Sequence, residues 1–258
     1  MKIARKVAEF SKPTGSVWEG DALSFLRQQE RGSASIVFLD PPFNLGKWYG
    51  ASKINDLMEN EVYREWMRAV LSESARIIAD GGALFLYHLP SWAIEFAGEL
   101  SKTLTFRHWI AVSMKNGFVR GQRLYPAHYA LLYFTKGKPR TFSRPKIAPA
   151  ICRHCGELVK DYGGYRAIVE EKGINLSDIW DDLSPVRHAN RKHRKANELN
   201  PVLVERVLQM SGVRSGMFVD PFAGSGTTIV AAKRHSMRFA ACDMQRANTR
   251  LIIERLNQ

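Results

Sequence analysis

The sequence is poor in cysteine and has no long hydrophobic run. Its 258 residues include three cysteines, too few for a disulfide framework, which favours a reducing compartment. No apolar run approaches the ~18 residues of a membrane-spanning helix. The N-terminal segment also lacks the apolar region of a secretory signal. We therefore expect a cytoplasmic protein with no membrane partner.

Acidic residues are few relative to basic ones. The chain has 38 Lys and Arg residues but 25 Asp and Glu residues, giving a net charge of +13. Residues 115–200 hold 17 basic and 8 acidic residues, so most of the excess lies in one third of the chain. This clustering favours a nucleic-acid partner. A solvated basic surface is the alternative.

Short apolar runs alternate with helical patterns along most of the chain. A helix is predicted over residues 59–79, and Asn200-Pro201 resembles a helix start leading to about Met210. This alternation predicts an α/β sheet with helices on both faces. Residues 137–198 break the pattern and are interpreted as an insertion. The predicted strands are residues 35–40, 82–87, 106–113, 128–135, 217–220 and 238–243, with a turn over residues 79–82.

A glycine-rich turn follows the predicted strand at Met217–Asp220. In Phe218–Thr228, Gly224 and Gly226 permit a tight turn, and the helix that follows offers unpaired backbone N–H groups to a polar ligand. Asp243 ends the next strand, where a carboxylate is placed to bind ribose hydroxyls. A plain turn between strand and helix is the alternative. The Asp220-Pro221-Phe222 lead and Asp243 favour a ligand site.

A second motif, Asp40-Pro41-Pro42-Phe43, ends the predicted strand at residues 35–40. Ligands of open α/β sheets bind at the carboxyl ends of strands. Prolines cannot donate hydrogen bonds, so the backbone carbonyls here are candidate acceptors for an amino group, together with the Asp40 carboxylate. Phe43 offers a face on which a base can stack. The alternative is a strand-terminating turn with a core aromatic residue.

Together the two motifs resemble the β class of DNA amino-methyltransferases that use S-adenosylmethionine. The catalytic loop (Asp40–Phe43) precedes the cofactor loop (Phe222–Gly226), with the basic segment between them. The resemblance implies a Rossmann-like methyltransferase fold with a mostly parallel, circularly permuted sheet. The catalytic core would be residues 1–136 and 199–258, and residues 137–198 would be a target-recognition insertion. Val17–Leu23 resembles a strand that family members usually carry downstream.

The resemblance also implies site residues. The catalytic residues would be Asp40, Pro41, Pro42 and Phe43. The cofactor contacts would be Asp21, Asp220, Pro221, Phe222, Ala223, Gly224, Ser225, Gly226, Thr227, Thr228 and Asp243. Asp21 would lie near the cofactor's adenine. Asp40 and the Pro41 carbonyl would bind the amino group of a flipped-out base, and Asn44–Ser52 would close over it. Because Asp begins the catalytic loop, adenine N6 is the predicted target, with cytosine N4 as the alternative.

The partner implied by the resemblance is double-stranded DNA, with a nucleoid-associated location. Arg191, Lys192, Arg194 and Lys195 are the predicted DNA contacts. A cognate restriction endonuclease and a homodimer are further expectations. An RNA or protein amino-methyltransferase and an inert DNA-binding module on the same scaffold are the rival hypotheses. The intact catalytic and cofactor loops argue against the inert module.

Cys152 and Cys155 form a Cys-x-x-Cys-Gly sequence, which is half of a zinc site. Zinc needs four ligands, and no second Cys-x-x-Cys is present. His188 and His193 are candidates to complete the set, but within a run of arginines they are equally candidate phosphate contacts. We assign no metal to the chain.

Overall fold

Nine strands form one sheet in the part of the chain described by the computed structural model, residues 3–46, 57–114, 122, 124–160, 162–183 and 198–258. Their spatial order is β1-β2-β11-β10-β3-β4-β6-β5-β9, and β7 and β8 form a separate pair. The strands are β1 (Arg5–Ser11), β2 (Thr14–Glu19), β3 (Ala34–Leu39), β4 (Ile78–His88), β5 (Thr105–Ser113), β6 (His128–Thr135), β7 (Lys146–Ile147), β8 (Ile174–Asn175), β9 (Ile179–Trp180), β10 (Met217–Asp220) and β11 (Arg238–Asp243).

The centre of the sheet is parallel. Neighbours β2, β11, β10, β3 and β4 all run in the same direction. Strand β6 is antiparallel to both β4 and β5, and β1 is antiparallel to β2. The predicted α/β fold with a mostly parallel sheet is therefore confirmed.

Helices cover both faces of this sheet. They are α1 (Ala22–Arg27), α2 (Asn60–Ile77), α3 (Pro90–Leu100), α4 (Arg166–Lys172), α5 (Pro201–Ser211), α6 (Thr227–Arg234) and α7 (Arg246–Leu256). Along β3, Val37 and Leu39 belong to a hydrophobic cluster with α1–α3, whereas Ile36 and Phe38 belong to a second cluster with α5–α7. This alternation follows from the two-residue period of a strand. None of the described helices is both long and apolar enough to span a membrane.

Most predicted elements are present within a few residues. The side chain of Asn200 caps α5 by accepting from the Val202 N–H at 2.9 Å, as the Asn-Pro pair predicted. The turn predicted at residues 79–82 is wrong, because β4 already begins at Ile78. Gly81 adopts φ +74° there, and its N–H donates to the Lys136 carbonyl at 2.8 Å. A backbone irregularity is thus accommodated inside a continuous strand.

The described part of the predicted insertion packs against the sheet and α5. Strand β9 pairs with β5 at the sheet edge. Arg206 of α5 is almost completely buried, forms a two-pronged ion pair with Asp182, and lies 5.4 Å from the centre of the Trp180 ring. These contacts attach the end of the segment to the core. The limits of the insertion, residues 137–198, stay a prediction.

The connections that follow the two central strands, β10 and β3, run in opposite directions across the sheet. From β10 the chain continues to β11, and from β3 it continues to β4 on the other side. The boundary between β10 and β3 is therefore a topological switch point, where open α/β sheets bind ligands at the strand carboxyl ends. Val219 pairs with Val37, so Asp220 and the Asp40 loop emerge side by side.

Candidate functional site

Asp220 organises the glycine-rich turn at the end of β10. Its side chain is buried at 1% exposure. One carboxylate oxygen accepts from the Phe222 N–H at 2.8 Å, and the other accepts from the hydroxyl of Thr228. Gly224 and Gly226 adopt φ +54° and +80°, in the left-handed region that favours glycine. The carboxylate thus connects both ends of the turn and directs it into α6.

Asp243 ties this turn to the neighbouring strand β11. Its Oδ2 accepts from the Gly224 N–H at 3.0 Å, and its Oδ1 accepts from the Gln245 N–H and the Asn248 side chain. The predicted role of Asp243 was to bind ribose hydroxyls. The structure adds an internal role, because the same carboxylate holds the glycine-rich turn against β11.

Asp21 lies just after the end of β2, the strand that neighbours β11. Its side chain caps α1 by accepting from the Ser24 N–H at 2.9 Å. The preceding Gly20 donates its N–H to the Asp243 carbonyl at 3.1 Å, which joins the ends of β2 and β11. Burial raises the pKa of the Cys242 thiol, and the charges of Asp243, Asp21 and Asp220 raise it further. Three predicted cofactor residues are therefore gathered around one buried side chain.

The Asp40 loop begins directly after β3, across the switch point. Asp40 is partly exposed, and Pro41 and Phe43 are buried. Burial raises the pKa values of Tyr87 and Tyr129, and the negative charge of Asp40 raises both further. Asp40 therefore lies close enough to two tyrosines, at the end of β4 and the start of β6, for its charge to act on their hydroxyl groups.

Phe43 is packed by aromatic neighbours. Its ring centre lies 4.9 Å from that of His88, 5.7 Å from that of Tyr129 and 6.2 Å from that of Tyr87. At 9% exposure, the ring forms a wall with little of its surface in water. An aromatic wall beside a carboxylate suits a planar, amino-bearing ligand.

The carbonyl of Pro42 is already engaged. Tyr63 of α2 donates its hydroxyl to this oxygen at 2.6 Å. The sequence made this carbonyl one of several candidate acceptors, whereas the family resemblance assigned the ligand amino group to Asp40 and the Pro41 carbonyl. The structure thus gives the Pro42 carbonyl an internal hydrogen bond that joins the loop to α2.

Asn44 holds the two ends of the following segment together. It adopts φ +56°, accepts from the Met58 N–H at 2.6 Å through its side-chain oxygen, and donates to the Met58 carbonyl at 3.1 Å. Residues 47–56 lie outside the described residues, and with them most of the loop Asn44–Ser52 predicted to close over the base. The contacts of Asn44 with Met58 bring the start and the end of that segment together.

Several predicted residues lie outside the described part of the chain. These are the four DNA contacts Arg191, Lys192, Arg194 and Lys195, together with His188 and His193. Cys152 and Cys155 are described. Backbone N–H groups of Cys155 and then His154 lower the pKa of the Cys152 thiol. Among the described residues, no group of three or more His, Cys, Asp or Glu side chains is arranged to hold a metal ion.

Four aromatic residues at the site carry no motif of their own in the sequence. The sequence assigns no role to Tyr63, Tyr87, His88 or Tyr129. Tyr63 and His88 lie 21 and 46 residues beyond Pro42, on α2 and at the end of β4. Their position beside the Asp40 loop depends on tertiary packing, which no local sequence pattern marks.

The chain matches the family model of the N6/N4 DNA methylases over residues 34–254. It belongs to this family. Both motifs of the site fall within the matched residues. The family predicted from the catalytic and cofactor loops is therefore confirmed.

Relatives in this family differ in length and similarity. The chain is 39% identical over 248 residues to the type II methyltransferase M.BamHI of Bacillus amyloliquefaciens. The aligned region covers 96% of the chain and 58% of that protein. It therefore spans somewhat more than half the length of this relative. It is 26% identical to the type II methyltransferase M1.MboII of Moraxella bovis, over 87% of the chain and 89% of the relative.

Solved structures of methyltransferases share the fold of this family member. The PvuII DNA methyltransferase, described as cytosine-N4-specific, aligns with a TM-score of 0.68 at 15% identity, covering 93% of the chain and 86% of that structure. A complex of M1.HpyAVI with S-adenosylmethionine aligns with a TM-score of 0.63 at 15% identity, covering 95% and 100%. At these identities the likeness establishes the fold.

Thr228→Val tests whether the Asp220 carboxylate organises the turn. The variant keeps the side-chain shape but removes the hydroxyl donor from a buried carboxylate, which costs about 1–3 kcal/mol. We expect a lower melting temperature and weaker binding of S-adenosylmethionine, measured by thermal unfolding and calorimetry. Thr105→Val, at the exposed start of β5, is the matched control. Wild-type values for both properties in Thr228→Val would contradict the role given to Asp220.

Proposed function

We propose that this protein transfers a methyl group from S-adenosylmethionine to the exocyclic amino group of a base in DNA. The observation that carries the proposal is the position of the two motifs. The Asp40 loop and the Asp220 turn emerge from adjacent parallel strands at the switch point, in a chain that belongs to the N6/N4 DNA methylases. One loop would serve the target and the other the cofactor.

The residues at the ends of β10, β11 and β2 fit S-adenosylmethionine. This molecule carries a positive sulfonium and an amino group, together with ribose hydroxyls and a planar base. The gathered carboxylates of Asp21, Asp220 and Asp243 supply negative charge. The Gly224–Gly226 turn leads into the N-terminus of α6, which supplies backbone donors. When bound, the cofactor supplies an electrophilic methyl group.

The Asp40 loop fits the amino group of a base. The lone pair of such an amine is delocalised into the base ring. Hydrogen bonds from the amine to the Asp40 carboxylate and the Pro41 carbonyl would concentrate electron density on nitrogen and orient it. Phe43 would stack on the base that these acceptors hold. Catalysis would then rest on positioning and electrostatics, with no covalent enzyme intermediate.

DNA is the proposed partner because of the charge of the chain. Its net charge is +13, and residues 115–200 carry most of the excess. A base inside a duplex must be extruded to reach the Asp40 loop, which requires a protein that grips the backbone. We place the phosphate contacts at Arg191, Lys192, Arg194 and Lys195. A cognate restriction endonuclease and a homodimer stay predictions.

Adenine N6 is the proposed target atom, because the family resemblance associates an initial Asp with adenine. Cytosine N4 is the second candidate, since its amine is also exocyclic and adjacent to a ring nitrogen. The same fold serves cytosine in the PvuII enzyme, so the fold does not select the base. The site beside Asp40, walled by Phe43, Tyr87 and Tyr129, suits either planar base.

The modified base is identified by expressing the protein in a host that lacks amino-methylated DNA. The host DNA is digested to nucleosides and measured by mass spectrometry. We expect N6-methyladenine with the wild-type protein and neither modified nucleoside with Asp40→Ala as control. N4-methylcytosine alone would contradict the adenine assignment while supporting amino-group transfer. Neither nucleoside, with folded protein present, would contradict the proposed function.

The DNA contacts are tested by the salt dependence of binding. Neutralising Arg191, Lys192, Arg194 and Lys195 should weaken binding to duplex DNA. It should also flatten the slope of log K against log salt by ~0.9 per lost phosphate contact. The matched control neutralises four exposed arginines at the opposite edge of the parallel strands, which are Arg27, Arg31, Arg234 and Arg238. Equal slopes in the two variants would show that the basic run is a solvated surface.

A further inference from the structure

Tyr63 and His88 form a buried hydrogen-bond chain behind the Asp40 loop. Both side chains have 0% exposure. The hydroxyl of Tyr63 lies 2.6 Å from the Pro42 carbonyl and 2.7 Å from His88 Nε2. The other ring nitrogen of His88, Nδ1, accepts from the Leu89 N–H at 2.7 Å. These hydrogen bonds therefore link the start of α3 to the Asp40 loop.

The direction of every hydrogen bond in this chain follows from its ends. Nδ1 of His88 faces a backbone N–H, so it carries no proton, and a neutral imidazole must then carry its proton on Nε2. Nε2–H donates to the Tyr63 oxygen, which leaves the Tyr63 proton for the Pro42 carbonyl. Burial lowers the pKa of His88 to about 3, which keeps the ring neutral at physiological pH.

The same two residues contact the loop at two successive positions, the Pro42 carbonyl and the Phe43 ring. Tyr63 orients the peptide group that links Pro42 to Phe43. His88 packs against the Phe43 ring with centres 4.9 Å apart and planes inclined by 30°. The acceptors proposed for the amino group, the Asp40 carboxylate and the Pro41 carbonyl, directly precede this peptide. A change in its orientation would move both the acceptors and the stacking ring.

We propose that Tyr63 and His88 are positioning residues for methyl transfer, which hold the Asp40 loop in its reactive geometry through the Pro42 carbonyl. This inference rests on the proposed function. Neither residue touches the ligand in this scheme. Their effect is on alignment, and small misplacements of reacting groups are costly to the rate of a positioned reaction.

Tyr63→Phe removes the hydroxyl and keeps the ring. The assay measures the first-order rate constant of methyl transfer to unmethylated, amplified genomic DNA. Enzyme is in excess and S-adenosylmethionine is saturating, so the rate constant does not depend on the inactive fraction. Loss of the hydrogen bond to the Pro42 carbonyl predicts a rate about ten-fold lower. The dissociation constant of S-adenosylmethionine should stay within about two-fold of wild type, because no cofactor residue is altered.

Four further variants separate positioning from folding. Tyr133→Phe, a buried tyrosine of β6 on the opposite face of the sheet, should keep the wild-type rate. His88→Gln keeps a side-chain N–H donor toward Tyr63 and should retain more activity than His88→Leu. Asp40→Ala should be inactive.

The outcomes distinguish the inference from the proposed function. A wild-type rate constant in Tyr63→Phe, with Asp40→Ala inactive, would overturn the positioning role alone. A lower melting temperature with an unchanged rate constant would overturn it as well, because it would show a purely structural role. Wild-type transfer by Asp40→Ala would overturn the proposed catalytic site itself.

Discussion

The parallel pairing of β10 with β3 is the constraint on which the site depends. Parallel neighbours end at the same edge of a sheet, and the register of Val219 with Val37 brings Asp220 and Asp40 to that edge together. The two motifs are separated by about 180 residues of sequence, yet no long loop is needed to join them. Since the connections leave in opposite directions here, this edge is where open α/β sheets bind ligands.

Helix α2 contacts both the Asp40 loop and the glycine-rich turn. Tyr63 donates to the Pro42 carbonyl of the Asp40 loop, while Trp66 packs edge-on against Phe222 of the glycine-rich turn with ring centres 5.8 Å apart. The two residues are three positions apart and so share one face of the helix. A single helix, packed on the sheet through one face, therefore contacts both loops, which suits a reaction that depends on alignment.

Local patterns in the sequence predicted much of this architecture. Each of the two motifs, Asp40–Phe43 and Phe222–Gly226, is an unbroken run of residues just after a strand. Each motif could therefore be recognised together with its strand. Asp220 and Asp243 were expected to face a ligand. Their hydrogen bonds within the turn depend on three-dimensional geometry that residue spacing does not encode. Tyr63 and His88 reach the loop only through packing of α2 against β4, and the short pairing of β9 with β5 likewise depends on long-range contacts.

The division of labour between the two loops is the central claim, and calorimetric titration of S-adenosylmethionine into Asp40→Ala and Gly224→Val tests it most directly. Asp40→Ala should bind the cofactor as the wild type does. Gly224→Val should bind it weakly or not at all, because valine is strained at φ +54° and adds bulk to the turn. Loss of binding in Asp40→Ala, with wild-type binding in Gly224→Val, would contradict the account.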